Sequence, residues 1–220
     1  MIRATFKALG DLLSPELHAI LVKAIGLTIG LFIVVFLAAE ILISTLTLLP
    51  WPWAETLLAI GTGVALFVAF FFLMAPVMAV FAGFFLDDVA ARVERLHYPR
   101  DAPGQPLATA AAITLALQFG AIVLLVNLAV LPLVFTGIGA VALIAANAYL
   151  LGREYFEMVA MRHMPVADAR HLRRENTAMV FAAGLLPAFL SLVPVLNLAV
   201  PLFATAYFVH IFKTVAASSR

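Results

Sequence analysis

The chain has 220 residues, is 65% hydrophobic and 11% charged, and carries a formal net charge of +1. Its mean hydropathy of +1.13 is more apolar surface than a water-soluble fold can cover, so composition points to an integral membrane protein. The absence of cysteine excludes disulfide scaffolds, thiolate metal sites and cysteine nucleophiles.

Residues 1–13 place Ile2, Phe6, Leu9 and Leu13 on one helical face, with Arg3, Lys7 and Asp11 among the other positions. This spacing predicts a short amphipathic helix lying at the membrane surface and no cleaved leader. Ser14-Pro15-Glu16 reads as a helix start, with a capping Ser, a Pro at the first position and an acid in the first turn. A long helix pair is then predicted over 15–97. Its first apolar run goes from Leu17 to Leu49, with Lys23 early and Glu40 late. Pro50-Trp51-Pro52-Trp53 is an interfacial turn, because prolines end helices and Trp settles at headgroup level. The second run, Ala54 to Leu86, continues as a polar helix from Asp87 to Arg95.

Tyr98 to Pro106 carries three prolines and a Gly and is a loop. A first hairpin is predicted over 107–164, with apolar arms at 107–131 and 138–152 around Pro132 to Gly137 and a polar extension beyond. A charged loop follows at 165–175, and a second hairpin over 176–213 has its turn at Pro194 to Pro201. Both hairpins carry Asn-Leu-Ala-Val, at Asn127 and at Asn197, followed by Pro132 and Pro201. Interrupted apolar segments in corresponding positions mark a transporter-like site or, equally, two hairpin turns that need Pro and Asn. On the second reading Asn127 and Asn197 cap carbonyls freed near Pro132 and Pro201.

All lysines and arginines fall at 3–23, 92–100, 153–174 and 213–220, and none in the turns at 44–56, 132–139 and 190–201. The positive-inside rule places both termini and the charged loops in the cytoplasm. The fold class is an all-α integral membrane protein with six main helices and the short N-terminal helix.

Few residues could carry chemistry. Glu154 and Glu157 are spaced like di-iron ligands, but Ala160 stands where a His would follow, and the five histidines form no His-x-x-x-His. No metal, cofactor, nucleotide loop or enzymatic activity is expected, and no nucleic-acid partner. Arg153, Arg162, Arg170, Arg173 and Arg174 remain, either as topogenic charges meeting anionic lipid or as a vestibule that concentrates anions. His18 and Lys23 could add to it.

Phe85-Leu86-Asp87-Asp88-Val89-Ala90-Ala91-Arg92-Val93-Glu94, then Gly152-Arg153-Glu154-Tyr155-Phe156, Arg173-Arg174 and the closing segment from Pro194 to Pro201 resemble landmarks of the CysZ-type sulfate permeases, grouped with the etoposide-induced-protein family. Asp87, Glu94, Gly152 and Glu154 are the motif positions. The resemblance implies two long transmembrane helices plus two helical hairpins, a homo-oligomer in the bacterial inner membrane, and sulfate uptake without ATP. Taken with the vestibule reading, His18, Lys23, Arg153, Arg173 and Arg174 are the candidate ligands of a small inorganic anion. One departure matters: the family's Gly-Leu-Arg-type anion motif is matched by Glu16-Leu17-His18. An imidazole is cationic only in acid, whereas a guanidinium is charged throughout. A non-transporting membrane scaffold that binds lipid or protein partners is therefore the alternative function.

Overall fold

In the computed structural model the described residues are 1–46, 53, 56–58, 60–66, 68, 85–108, 114, 115, 118, 122, 125, 126, 129, 132 and 138–218. They are helices and connections, without a strand. Helix α1 (Ile2–Leu12) buries Ala4, Ala8 and Asp11, which recur on one helical face. Its large apolar residues, Ile2, Phe6, Leu9 and Leu13, are exposed. The small face seats the helix along the last helix of the chain, and the large face is the one a membrane surface would take.

Helix α2 (Pro15–Leu46) starts where the sequence predicts, with the Leu17 amide donating to Ser14 Oγ at 3.4 Å. Its 32 residues span roughly 48 Å at ~1.5 Å per residue, longer than a ~30 Å hydrocarbon core. Leu27, Ile33, Val34, Leu37 and Ile41 are all exposed. The Thr28 hydroxyl donates to the Ala24 carbonyl at 2.8 Å, which hides its polarity inside the helix. Residues 56–58 and 60–66 are also helical; most of the second predicted run lies outside the described residues.

Helix α3 (Leu86–His97) starts after Phe85, which stands at its N-cap position without a side-chain cap hydrogen bond. Asp87 and Asp88 in its first turn and Arg95 and His97 in its last complement the helix dipole. The loop from Tyr98 is irregular through Ala108, as predicted.

From Gly139 onward the described residues form four helices: α4 (Gly139–Ala160), α5 (Val166–Glu175), α6 (Thr177–Leu190) and α7 (Pro194–Ser218). Two sequence expectations change here. The charged connection 165–175 is itself a helix, because Pro165 opens it, Asp168 lies in its first turn and Arg173 and Arg174 in its last. The turn between the last two helices is Ser191–Val193, not Pro194–Pro201. Pro194 stands at the first helical position, where its missing amide costs no hydrogen bond. Asn197 and Pro201 are inside α7. Asn197 therefore caps no turn, and its side chain makes no hydrogen bond among the described residues. Pro201 instead leaves the Asn197 carbonyl without its helical donor. Asn127 lies outside the described residues, and Pro132 is exposed. The short N-terminal helix is present as α1, but with α3 and α5 as separate pieces the described helices do not sort into the six-helix plan.

The chain divides into two compact units, Met1–His18 with Phe85–Arg220, and Ala19–Phe84. In the first unit α4 and α6 pack backbone to backbone. A Cβ at Gly152 would stand 2.6 Å from the Val180 carbonyl oxygen, and one at Gly184 only 2.0 Å from that of Ala148. Small residues at such crossings replace the hydrophobic drive that helices lack in lipid with close dispersion contact. Helix α7 is the core: every residue from Val200 to Phe212 is buried. Its Phe208 ring stacks on Tyr155 and its Phe212 ring meets Phe156 edge-on. Among the described residues, helices α2 and α7 contain two stretches long and apolar enough to cross a membrane, Pro15–Leu42 and Leu196–Ser218.

Candidate functional site

The C-terminal half of α4 and the whole of α5 bring four charged side chains to one point. Glu157 is buried and accepts from Arg173 Nε at 2.6 Å and from Arg153 Nε, one turn earlier on α4, at 3.4 Å. Arg170 Nε stands 3.7 Å from the other carboxylate oxygen, while its Nη2 donates to Gln118 at 3.1 Å. Arg170 Nε is itself buried without a hydrogen-bond partner. Three guanidiniums thus face one carboxylate, and one donor is left over. Glu154 stands beside them. Burial and the charge of Glu157 push its carboxyl up to about 7, with Arg153 opposing, so it adds little negative charge below that pH.

A second cluster inverts this ratio. Arg162, just past the end of α4, has a side chain only 2% exposed and is held by Asp87 and Glu94 of α3. It also donates to the Gly104 carbonyl at 3.4 Å. Glu94 accepts further from the Gly104 amide at 3.1 Å and from His163 at 3.0 Å. Burial alone would raise the Glu94 carboxyl, but the hydrogen bonds from His163 and Arg162 and the guanidinium charge outweigh it and hold the group at about 2. Gly104 must be a glycine, since a Cβ there would lie 2.9 Å from Arg162 Cβ and 3.0 Å from Glu94 Oε1. Its buried members, Arg162 and Glu94, are held by partners within the cluster, which ties α3, the following loop and α4 together.

The sequence candidates separate accordingly. Arg153 and Arg173 meet on Glu157, with Arg170 completing the group. Arg174 is exposed and joins no ion pair among the described residues. His18 is exposed at the start of α2, and Lys23 is exposed in the second unit. Of the motif positions, Asp87 and Glu94 belong to the Arg162 cluster, Gly152 to the helix crossing and Glu154 to the Glu157 group. Sequence reasoning missed Gln118 and also Arg92, whose Nη2 donates to Glu16 at 2.6 Å. The acid at position 16 is thus neutralised by a guanidinium 76 residues away, a distance over which no spacing rule operates.

Comparison with curated proteins finds no match. Residues 4–201 match the model of the family described as "Sulfate transporter CysZ/Etoposide-induced protein 2.4", and over that span the chain belongs to this family.

Proposed function

We propose that the chain is a multi-pass permease or channel for sulfate or a similar small anion, not driven by ATP and not an enzyme. It works as a homo-oligomer in the bacterial inner membrane with both termini cytoplasmic. Family membership supports transport. The observation that carries the anion is the Glu157 group, in which Arg153, Arg170 and Arg173 outnumber the carboxylate they hold. The Glu157 carboxylate occupies the place an incoming oxyanion would compete for, and Arg170 Nε, 3.7 Å from that carboxylate and without a hydrogen bond, supplies a donor for it. Segregation of Lys and Arg away from the turns supports the orientation.

The test is radiolabelled sulfate flux in proteoliposomes against empty vesicles. The parent exceeds the control, and Arg173→Ala falls toward it. Flux weakens as pH rises through about 7, where Glu154 becomes charged, and Glu154→Gln removes that weakening. His18→Arg adds a permanent cation at the start of α2 and raises anion binding.

The second reading is a non-transporting scaffold that binds lipid or protein partners. It is favoured by His18, an imidazole where the resembled motif has an arginine. A parent without flux at any pH, unchanged by His18→Arg, replaces the permease reading with this one.

A further inference from the structure

Three side chains from opposite ends of the chain meet at one buried point. Asp11 lies on the inward face of α1, His97 closes α3, and His210 lies in the buried stretch of α7. His97 Nε2 is 2.8 Å from Asp11 Oδ1, and His210 Nε2 is 3.3 Å from Asp11 Oδ2. The three donor atoms all lie within 4.8 Å of one another. Asp11 is 5% and His210 2% exposed, so water contributes little to satisfying them.

Both imidazoles turn the same ring nitrogen toward the carboxylate, and the third element of a coordination site is present behind one of them. His210 Nδ1 is 2.8 Å from the Tyr98 hydroxyl. With Nδ1–H donating to the Tyr98 oxygen, the lone pair on Nε2 is left for an ion, the arrangement by which outer partners fix a ligand tautomer. Two imidazoles and one carboxylate suit a borderline divalent cation such as Zn2+, whose bonds to N and O are about 2.0–2.2 Å. Tetrahedral donors at that radius are separated by roughly 3.3–3.6 Å, inside the range seen here. A small rotation of the His97 ring, which sits at the helix end with its side chain 21% exposed, would even out the spacing.

Three protein donors leave a fourth position. A cleft of about 600 Å³ lined by Arg3, Lys7, Tyr98, His210 and Thr214 opens beside the cluster. Two ammonium groups stand over the Tyr98 ring, Lys7 at 5.9 Å and Lys213 at 5.5 Å. Lys213 is paired with Asp101 at 2.8 Å, so Lys7 is the principal opposing charge. We propose that Asp11, His97 and His210 bind one divalent cation of the zinc class per chain, with a water or small anion from the cleft as fourth ligand. The ion would clamp α1 and α3 to α7.

The alternative occupant is a proton shared between imidazole and carboxylate, and the experiment separates the two. Full-length protein without a histidine tag is stripped with chelator in detergent, loaded with Zn2+ or Co2+, and desalted. The parent should retain one metal per chain by elemental analysis, and its Co2+ form should show the intense visible absorption of a tetrahedral N/O site. His97→Gln and Asp11→Asn should lose both signals. Tyr98→Phe, which keeps all three ligands, should weaken Zn2+ binding about 10–100-fold. His171→Ala, an exposed residue of α5, should change neither. His97 lies at the cluster's solvent edge, so its variant folds even where Asp11→Asn does not. A parent that retains no metal, or a His97→Gln variant that retains a full equivalent with an unchanged cobalt spectrum, overturns the proposal.

Discussion

The two arginine clusters use the same residue types in opposite proportion. Around Arg162, two carboxylates and a carbonyl hold one guanidinium, and hydrogen bonds to Glu94 come from three directions. Around Glu157, three guanidiniums share one carboxylate, and a buried donor has no partner. The Arg162 guanidinium is already held by carboxylates, so this cluster offers an anion little and holds elements together. A cluster with surplus cation is under mutual repulsion that an added anion relieves. On the proposed function, the ratio more than the presence of buried charge separates architecture from a binding place.

The sharpest way to test that contrast is to remove each central acid. Glu94→Ala strands the Arg162 guanidinium with a single exposed carboxylate, and breaking a buried pair of this kind costs about 3–5 kcal/mol. Thermal unfolding in detergent should show the loss, and added sulfate should not restore it. Glu157→Gln should also lower the transition, but here sulfate should raise it again, because the oxyanion takes over the vacated guanidiniums. Equal behaviour of the two variants toward sulfate would erase the distinction.

Both clusters hang from the C-terminal part of α4, so disturbing its seat should weaken them together. Gly184→Ala forces a methyl group against the Ala148 carbonyl, and overpacking of this kind costs about 1–3 kcal/mol. The same calorimetric scan reads it, and sulfate should rescue only part.

The pH response should separate the clusters more gently. Glu94 is depressed, so its folded form holds protons less well than the unfolded chain. Its contribution is full above about 4.5 and fades as pH falls toward about 2. Glu154 is raised, so the folded form holds its proton more tightly, and stability declines as pH climbs from about 4.5 to about 7. A melting-temperature series should therefore slope downward over that upper window in the parent and flatten in Glu154→Gln. Smallest of all is Arg174→Ala. Exposed and outside both clusters, it should shift stability by no more than about 0.5 kcal/mol.

Much of the local structure was legible. Ser14-Pro15-Glu16 announced α2 because cap, proline and acid each act within one turn of the chain. The loop from Tyr98 followed from its prolines. Gly152 stood out as a motif position, though its reason, contact with the Val180 carbonyl, needed the partner helix. The turn before α7 was misplaced because a proline reads alike as a turn residue and as a first helical residue; Pro194 is the second and Pro201 neither. The segment 165–175 looked like a loop because its charge hid the capping pattern that makes it α5. The clusters themselves were beyond local reasoning. Arg162 meets Glu94 and Asp87 across 68 and 75 residues, and Asp11 meets His210 across 199. Such pairings are set by how helices stack, and no periodicity encodes them.

Helix α1 gives its alanines to the protein and keeps Ile2, Phe6 and Leu13 outside. Were those side chains to rest in lipid, as the sequence leads one to expect, α1 would be a float and the contacts of Asp11 with His97 and His210 its mooring. Tension or thinning that changes the height of the bilayer surface would then load α7 through a joint made of a carboxylate and two imidazoles.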